Sequence, residues 1–160
     1  MFKISKLTDY ATAILSHMAR DPGVIYTARD LTVQTHITLP TVMKLLKQLA
    51  KAGLLNSHRG SNGGYVLACP PDKVFLIDII TAIEGDVGLT ECSLKQSHCS
   101  LEPICTTRHN WQTISHLLYD ALGQITLADM AEPINLRRFE IELAGRKFTT
   151  EVHTSDQREA

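Results

Sequence analysis

Three cysteines near the middle of the chain are the residues most able to do chemistry. Cys92, Cys99 and Cys105 follow one another with six and five residues between them, and His109 comes four positions later. Thiolate is the soft ligand that selects iron–sulfur clusters, zinc or copper(I). Structural zinc sites usually pair their cysteines about two to four residues apart. The wider gaps here therefore favour a loop that wraps around a larger inorganic core.

The fourth cysteine, Cys69, stands apart from these three at the end of an expected strand. A free cysteine in such a place commonly behaves as a small apolar side chain. We therefore expect Cys69 to fill space and not to bind metal.

The totals indicate a globular chain of 160 residues, with 44% hydrophobic and 21% charged residues. No apolar run approaches the roughly 20 residues that span a bilayer. The first residues carry charges where a signal peptide needs its apolar segment. We expect a cytoplasmic protein without membrane contact, whose thiols are reduced and free to bind metal.

Charge is divided unevenly along the chain, although the net charge is only −1. Residues 1–75 hold nine Lys or Arg against four Asp or Glu, whereas residues 76–160 hold seven against thirteen. A basic first half is the expected footprint of phosphate binding. Charge alone would fit a solvated surface equally well.

Helical periodicity predicts the elements that must position these residues. Three helices are expected in the first half, at about 4–18, 28–34 and 41–52, with Thr38 as the N-cap of the third. Two short strands follow at about 54–58 and 64–68, joined by a glycine-rich turn. Helices followed by a hairpin predict a mainly α fold with a small β-hairpin wing, the winged helix-turn-helix order.

The second half is expected to hold a helix at Leu76–Glu84, the cysteine loop at 85–110 and a long amphipathic helix at 111–125. We divide the chain into a DNA-binding domain at 1–75, a cluster loop with a dimerisation helix at 76–131, and an extension at 132–160. The extension contains a possible strand around Phe139, Ile141 and Leu143 and is expected to be disordered after Thr150. The apolar stripe of the long helix is Trp111, Ile114, Leu117, Leu118, Leu122 and Ile125.

The third helix and the wing carry the residues suited to reading DNA. The second helix of a helix-turn-helix enters the major groove by its N-terminal end, which here presents Thr38, Pro40, Thr41 and Lys44. Arg59 at the hairpin tip suits a narrow minor groove of negative potential. Either feature alone fits a solvated surface, but the two in succession favour DNA binding.

Three motifs resemble the IscR/NsrR-type (BadM-like) bacterial winged-helix regulators that carry iron–sulfur clusters. They are Lys-Ile-Ser-Lys-Leu-Thr-Asp-Tyr-Ala at 3–11, Arg-Gly-Ser-Asn-Gly-Gly-Tyr-Val-Leu at 59–67, and the cysteine trio before a long helix. Leu-Glu-Pro-Ile-Cys at 101–105 and Arg-His-Asn-Trp-Gln at 108–112 are most similar to the regulators of SUF-type cluster assembly. The resemblance covers about residues 1–131.

This resemblance implies a homodimer that binds a palindromic operator in double-stranded DNA, with the long helix crossing its twin. It implies sensing of iron–sulfur status, redox state or nitric oxide, and control of cluster-assembly genes, with [2Fe–2S] favoured over [4Fe–4S]. Pro40 departs from the small polar residue that is frequent in relatives, so we expect it to make van der Waals contact with a thymine methyl. The DNA-binding residues that the resemblance implies are Thr38, Pro40, Thr41, Lys44, Arg59, Gly60, Ser61, Gly63 and Tyr65.

The fourth cluster ligand has several candidates. His109 is favoured because it needs no second chain, and a neutral imidazole is a competent iron ligand. Asp9 is the alternative, since some members of the resembled family take a carboxylate there from the opposite subunit. His98 adjoins a cysteine and is poorly placed for the same metal, while Glu84 and Asp86 fit solvated loop residues.

Other functions compete with cluster sensing. A structural zinc at the same cysteines would leave the DNA-binding half unchanged, and the protein would be colourless instead of brown. A small electron carrier would have no use for the basic half and its wing. An enzyme is not expected, because the chain has neither a nucleophile elbow nor a phosphate loop.

Overall fold

The computed structural model describes residues 4–60, 63–94, 99–100 and 104–133, and the backbone of 140–143 and 146–149. Its helices and strands agree with the predicted mainly α class with a hairpin wing. In chain order they are α1 Lys6–Met18, α2 Ala28–Thr35, α3 Leu39–Lys51, β1 Leu55–His58, β2 Gly64–Leu67, α4 Leu76–Glu84, α5 Arg108–Leu122, α6 Leu127–Met130, β3 Glu140–Leu143 and β4 Arg146–Thr149. Two 3-10 turns lie at Pro71–Lys73 and Glu91–Ser93.

One hydrophobic core joins α1, α2 and α3 to later parts of the chain. Ile14, Leu45 and Leu49 are fully buried in it, and so are Ile79 of α4 and Leu127 of α6. The chain returns to this core after α5 through two backbone hydrogen bonds. Leu76 N–H donates to Ile125 O at 2.8 Å, and Leu127 N–H donates to Val74 O at 2.7 Å.

The first two helices begin at side-chain caps. Ser5 Oγ accepts the N–H of Thr8 at the start of α1, and Thr27 and Asp30 form a reciprocal capping box at the start of α2. Such caps satisfy N–H groups that have no partner inside the helix. His36, with a φ of 56°, makes the left-handed turn between α2 and α3.

The wing is an antiparallel hairpin that is tied to the segment before α2. Leu55 pairs with Leu67 and His58 with Gly64. Tyr26 and Tyr65 exchange two backbone hydrogen bonds of 2.9 and 2.8 Å, which extends the sheet by one bridge. Strand β2 is therefore hydrogen-bonded on both of its sides, to β1 and to Tyr26.

Several details differ from the expectations. Thr38 occupies the N-cap position of α3, but its side chain caps no backbone N–H because its hydroxyl lies 3.0 Å from Thr41 Oγ1. Cys69 is exposed just beyond β2, so it is not the buried filler that the sequence suggested. The long helix begins at Arg108, earlier than predicted, and ends before Ile125.

The C-terminal extension contains the strand predicted near Ile141 and Leu143, which is β3. Its partner β4 was not predicted, and the register pairs Ile141 with Phe148. Phe139 and residues 150–160 lie outside the described residues. In the part of the chain that is described, no helix is long and apolar enough to cross a membrane.

Candidate functional site

The outward face of α3 is basic with an apolar patch. Because α3 buries Val42, Leu45, Leu46 and Leu49, its opposite face is left to solvent. The exposed residues on that face are Pro40, Met43, Lys44, Lys47 and Lys51. In a helix-turn-helix this face enters the major groove.

The N-terminal turn of α3 adds groups that suit a phosphate. Thr38 is exposed and Thr41 half-buried, and no side chain caps the helix. Uncapped N–H groups at a helix N-terminus attract an anion. The sequence placed Thr38, Pro40, Thr41 and Lys44 together here, and the structure does so too.

The wing presents Arg59 and Gly60 as exposed residues, with Gly63 half-buried beside them. Gly60 has a φ of 115°, and its carbonyl accepts the N–H of Gly63 at 3.0 Å. Tyr65 is half-buried and packs on the hydrophobic core, so only part of it is available to DNA. Ser61, another predicted contact, lies outside the described residues.

A groove runs between the wing and the start of α2, and it includes a residue that the sequence did not single out. Arg59, Gly60, Gly63 and Tyr65 line the groove together with Thr27, Ala28, Ser57, His58 and Gly64. His58 is exposed at the end of β1. No motif distinguishes it in the sequence, because its place at the groove depends on the hairpin register.

The loop after α4 is attached to α5 through polar contacts. Cys92 is buried in the second 3-10 turn, and its carbonyl accepts a hydrogen bond of 3.0 Å from Gln112 Nε2. Leu89 N–H donates to Ser115 Oγ at 3.2 Å. Two side chains of α5 thus fix the position of the first cysteine.

Cys105 lies two residues before the N-cap of α5, in a setting that favours its thiolate. The Thr107 hydroxyl is 3.4 Å from Cys105 Sγ. Hydrogen bonds from the side chain and backbone of Thr107, followed by the backbone and charge of Arg108, lower the pKa of the Cys105 thiol. The thiolate is the form that binds metals.

The three cysteines supply suitable donors, but they are not gathered around one point. None of the four cysteines forms a disulfide, and Cys99 is half-buried. Among the described residues no group of three or more His, Cys, Asp or Glu is close enough to hold a metal ion. Metal binding in such loops is coupled to folding. The donor atoms are therefore of the kind that binds a soft metal or cluster. Among the described residues, however, they do not lie close enough together to form a complete ligand set.

The candidates for the fourth ligand lie on different elements. His109 is exposed in the first turn of α5 and not before it, because α5 begins at Arg108. Asp9 is exposed in the first turn of α1. Asp86 is exposed after α4 and lines a shallow groove, and His98 lies outside the described residues.

Glu84, interpreted from the sequence as a solvated loop residue, is exposed but ends α4 and also connects two helices. Its carboxylate, at the end of α4, accepts hydrogen bonds from Ser5 N–H at 3.0 Å and from the hydroxyl of the buried Thr8. These bonds, the one from Thr8 first, hold the pKa of Glu84 below its usual range despite opposing desolvation. Glu84 therefore extends the cap of α1.

The apolar stripe of α5 is partly uncovered by its own chain. Trp111 is 41% and Ile114 45% exposed, while Ser115 is the buried residue of this helix. Gln112 and Ser115 make the contacts to the loop, so this part of the inner face of α5 is polar. Leu117, Leu118, Leu122 and Ile125 are half-buried. An apolar stripe left to solvent is an association surface.

The chain is similar to known transcriptional regulators in sequence and in fold. A family model described as Rrf2, iron-dependent transcriptional regulator, matches residues 4–133. The chain is similar to the HTH-type transcriptional regulator NsrR of Bacillus licheniformis, with 30% identity over 130 residues that cover 80% of this chain and 91% of that relative. It is also similar to the HTH-type transcriptional regulator IscR of Erwinia tasmaniensis, with 34% identity over 101 residues, 63% of this chain and 61% of that relative.

Two solved structures share the fold. CymR, the global cysteine regulator of B. subtilis, is 27% identical with a TM-score of 0.64, covering 82% of this chain and 97% of that one. The T. potens IscR structure is 29% identical with a TM-score of 0.62, covering 81% and 85%. The shared fold confirms the predicted winged-helix class. The relatives are transcriptional regulators and not enzymes, which confirms the expectation that the chain is no enzyme. The chain belongs to the Rrf2 family of DNA-binding transcriptional regulators, and the resemblance to its IscR and NsrR type is confirmed.

Proposed function

We propose that this regulator is a homodimer that senses iron–sulfur status through a cluster held by Cys92, Cys99 and Cys105. One observation carries the proposal: the turn that contains Cys92 is hydrogen-bonded to α5, the helix that exposes Trp111 and Ile114. The ligand loop and the dimer helix would then move together. The iron-dependent description of the matching family supports the same sensor.

The fold alone does not carry this proposal, since the structures that share it include a global cysteine regulator. The cysteine trio supplies the thiolate donors that the proposed cluster requires. Cys105 contributes a thiol whose pKa is already lowered, and Gln112 holds the turn of Cys92 in place. A bound cluster would supply a centre that responds to oxidation or nitric oxide. We favour [2Fe–2S], with His109 or Asp9 as the fourth ligand and cluster-assembly genes as the targets.

The DNA-binding surface of the proposal combines α3 with the wing. Lys44 and Arg59 would neutralise phosphates or enter a groove, and the first turn of α3 would bind a phosphate. A two-fold dimer would present this surface twice to a palindrome. Its half-sites would lie about one helical turn, roughly 34–36 Å, or a multiple of it apart.

Anaerobic purification followed by absorption spectra and iron and sulfide analysis tests the sensor. Brown protein with iron and sulfide is expected, and Cys92→Ala, Cys99→Ala and Cys105→Ala should each give folded, colourless protein. Cys69→Ala is the matched control and should keep its colour, because Cys69 lies beyond β2 and outside the loop. A brown Cys99→Ala protein with full iron content would refute the ligand assignment.

Zinc is the second candidate for the same residues, because three cysteines with His109 also form a donor set that structural zinc accepts. The same measurement separates the two metals. Colourless protein with one equivalent of zinc per chain and no sulfide would establish the zinc alternative.

A further inference from the structure

Two apolar side chains occupy the middle of an otherwise basic recognition face. Pro40 is exposed in the first turn of α3, and Met43, one turn later on the same side, is 45% exposed. Lys44 and Lys47 lie beside them and are exposed as well. Pro40 and Met43 are not part of the buried stripe on the opposite side of α3. That stripe consists of Val42, Leu45, Leu46 and Leu49, which are fully buried.

The polar groups nearest to this patch have limited freedom to read a base. The hydroxyls of Thr38 and Thr41 are hydrogen-bonded to each other at 3.0 Å. Pro40 has no donor, and the thioether of Met43 is at best a weak acceptor. That bond uses one of the two O–H groups, so hydrogen-bonded base contacts from this turn are limited to the other hydroxyl and Lys44.

One group in the major groove matches an apolar patch. Each base pair presents donors and acceptors there, and thymine alone among the four bases adds a C5-methyl group. We propose that Met43, supported by Pro40, reads thymine C5-methyl groups in each operator half-site. This inference rests on the proposed DNA-binding surface and assigns it a specificity-determining residue.

The expected size of the effect follows from burial of a single methyl group. Burying one CH₂-sized group is worth about 0.8 kcal/mol, which corresponds to roughly a fourfold change in affinity. A palindrome contains the contact twice, so removing both methyl groups should weaken binding about fifteenfold. 5-Methylcytosine carries a methyl group at the same ring position and should restore contact where cytosine has none.

The test begins with selection of an operator from random-sequence duplexes by the full, purified chain. Symmetric thymine pairs in the selected operator are then replaced by uracil, one pair at a time, which removes only the methyl groups. Affinities are measured for the wild type and for Met43→Ala, with Met43→Leu retaining an apolar side chain. Lys47→Ala is the matched control, since it removes a neighbouring charge from the same face.

At one or two positions, replacing a thymine pair by uracil should lower the operator affinity of the wild type about fifteenfold. The affinity of Met43→Ala should not change on the same replacement. Met43→Leu should keep most of the sensitivity. Lys47→Ala should bind more weakly at all sequences, with a smaller salt slope and unchanged uracil sensitivity. Losses below twofold at every thymine would overturn the inference while leaving DNA binding intact. Selection that enriches no sequence would overturn the proposed surface and this inference together.

Discussion

Gly64 shows how tightly the wing fits the segment before α2. A Cβ at this position would lie 2.5 Å from the carbonyl oxygen of Tyr26 and 2.8 Å from the side chain of Ile25. The two backbones can move apart only if the two Tyr26–Tyr65 hydrogen bonds are broken. Gly64 of the Gly-Gly-Tyr motif therefore has a packing role in addition to its position in the wing.

Gly64→Ala should destabilise the protein by about 1–3 kcal/mol, the usual cost of forced overpacking. Chemical denaturation measures the change. Gly23→Ala is the control, since a Cβ there has no atom within 4 Å and needs no positive φ. Equal stabilities for the two variants would show that the backbone at Gly64 yields easily.

Glu84 makes a pH-dependent contribution to folding. Its folded pKa is lowered, so its hydrogen bonds to Ser5 and Thr8 stabilise the fold above the pKa of an unfolded carboxyl group. That contribution is lost as the pH falls through the lowered folded pKa. Glu84→Gln should remove this part of the acid sensitivity, as followed by thermal unfolding between neutral and acid pH.

Glu132→Gln is the control for Glu84→Gln, because Glu132 is an exposed carboxylate beyond α6. It should leave the acid limb of the stability curve in place. An acid limb of the same depth in both variants would mean that the contact between α1 and α4 contributes nothing measurable.

At the scale of elements, a substitution at the tip of the wing should affect DNA affinity without affecting folding stability. Arg59 is exposed at the tip, so Arg59→Ala should leave the unfolding transition unchanged. Operator affinity should fall by about 1–3 kcal/mol if the guanidinium enters a groove, and the salt slope should fall by about one if it neutralises a phosphate. An unchanged affinity on the selected operator would exclude Arg59 from the site.

The sequence predicted the elements well because their signals are local. Helical periodicity, Pro40 in the first turn of α3 and the glycine-rich turn of the wing each depend on near neighbours. The start of α5 was misplaced by three residues, since no side chain caps it. β4 was missed because its residues, Arg146–Thr149, do not alternate clearly between apolar and polar.

The site was less predictable because its contacts cross long stretches of sequence. Met43 was not singled out in the sequence, although helical spacing places it off the buried stripe of α3. Glu84 contacts residues that precede it by 79 and 76 positions. Gln112 lies 20 residues from the Cys92 carbonyl that it binds. No spacing rule connects such partners.

For the whole molecule, the stripe of α5 is expected to form the dimer. Trp111→Glu with Ile114→Glu should give monomers that lose specific operator binding but keep weak, salt-sensitive binding to any DNA. Both side chains are more than 40% exposed in one chain, so the change should not unfold it. Sedimentation and DNA binding measure the outcome.

Thr113→Glu with Gln124→Glu is the matched control, adding the same charge at exposed positions on and just after α5. It should remain dimeric. If the stripe variant also sediments as a dimer, the chains associate elsewhere. A monomer that binds the operator as tightly as the wild type would contradict the palindromic arrangement.

The return of the chain to the core after α5 constrains how a signal can travel. The segment from Leu76 to Ile125 begins and ends at the same place, where those two residues share a backbone hydrogen bond and Leu127 is fully buried. Such a segment behaves mechanically as a closed ring and not as a hinged arm. A rearrangement of the cysteine loop that displaces α5 would then strain both attachment points at once, and both belong to the core that also holds α3.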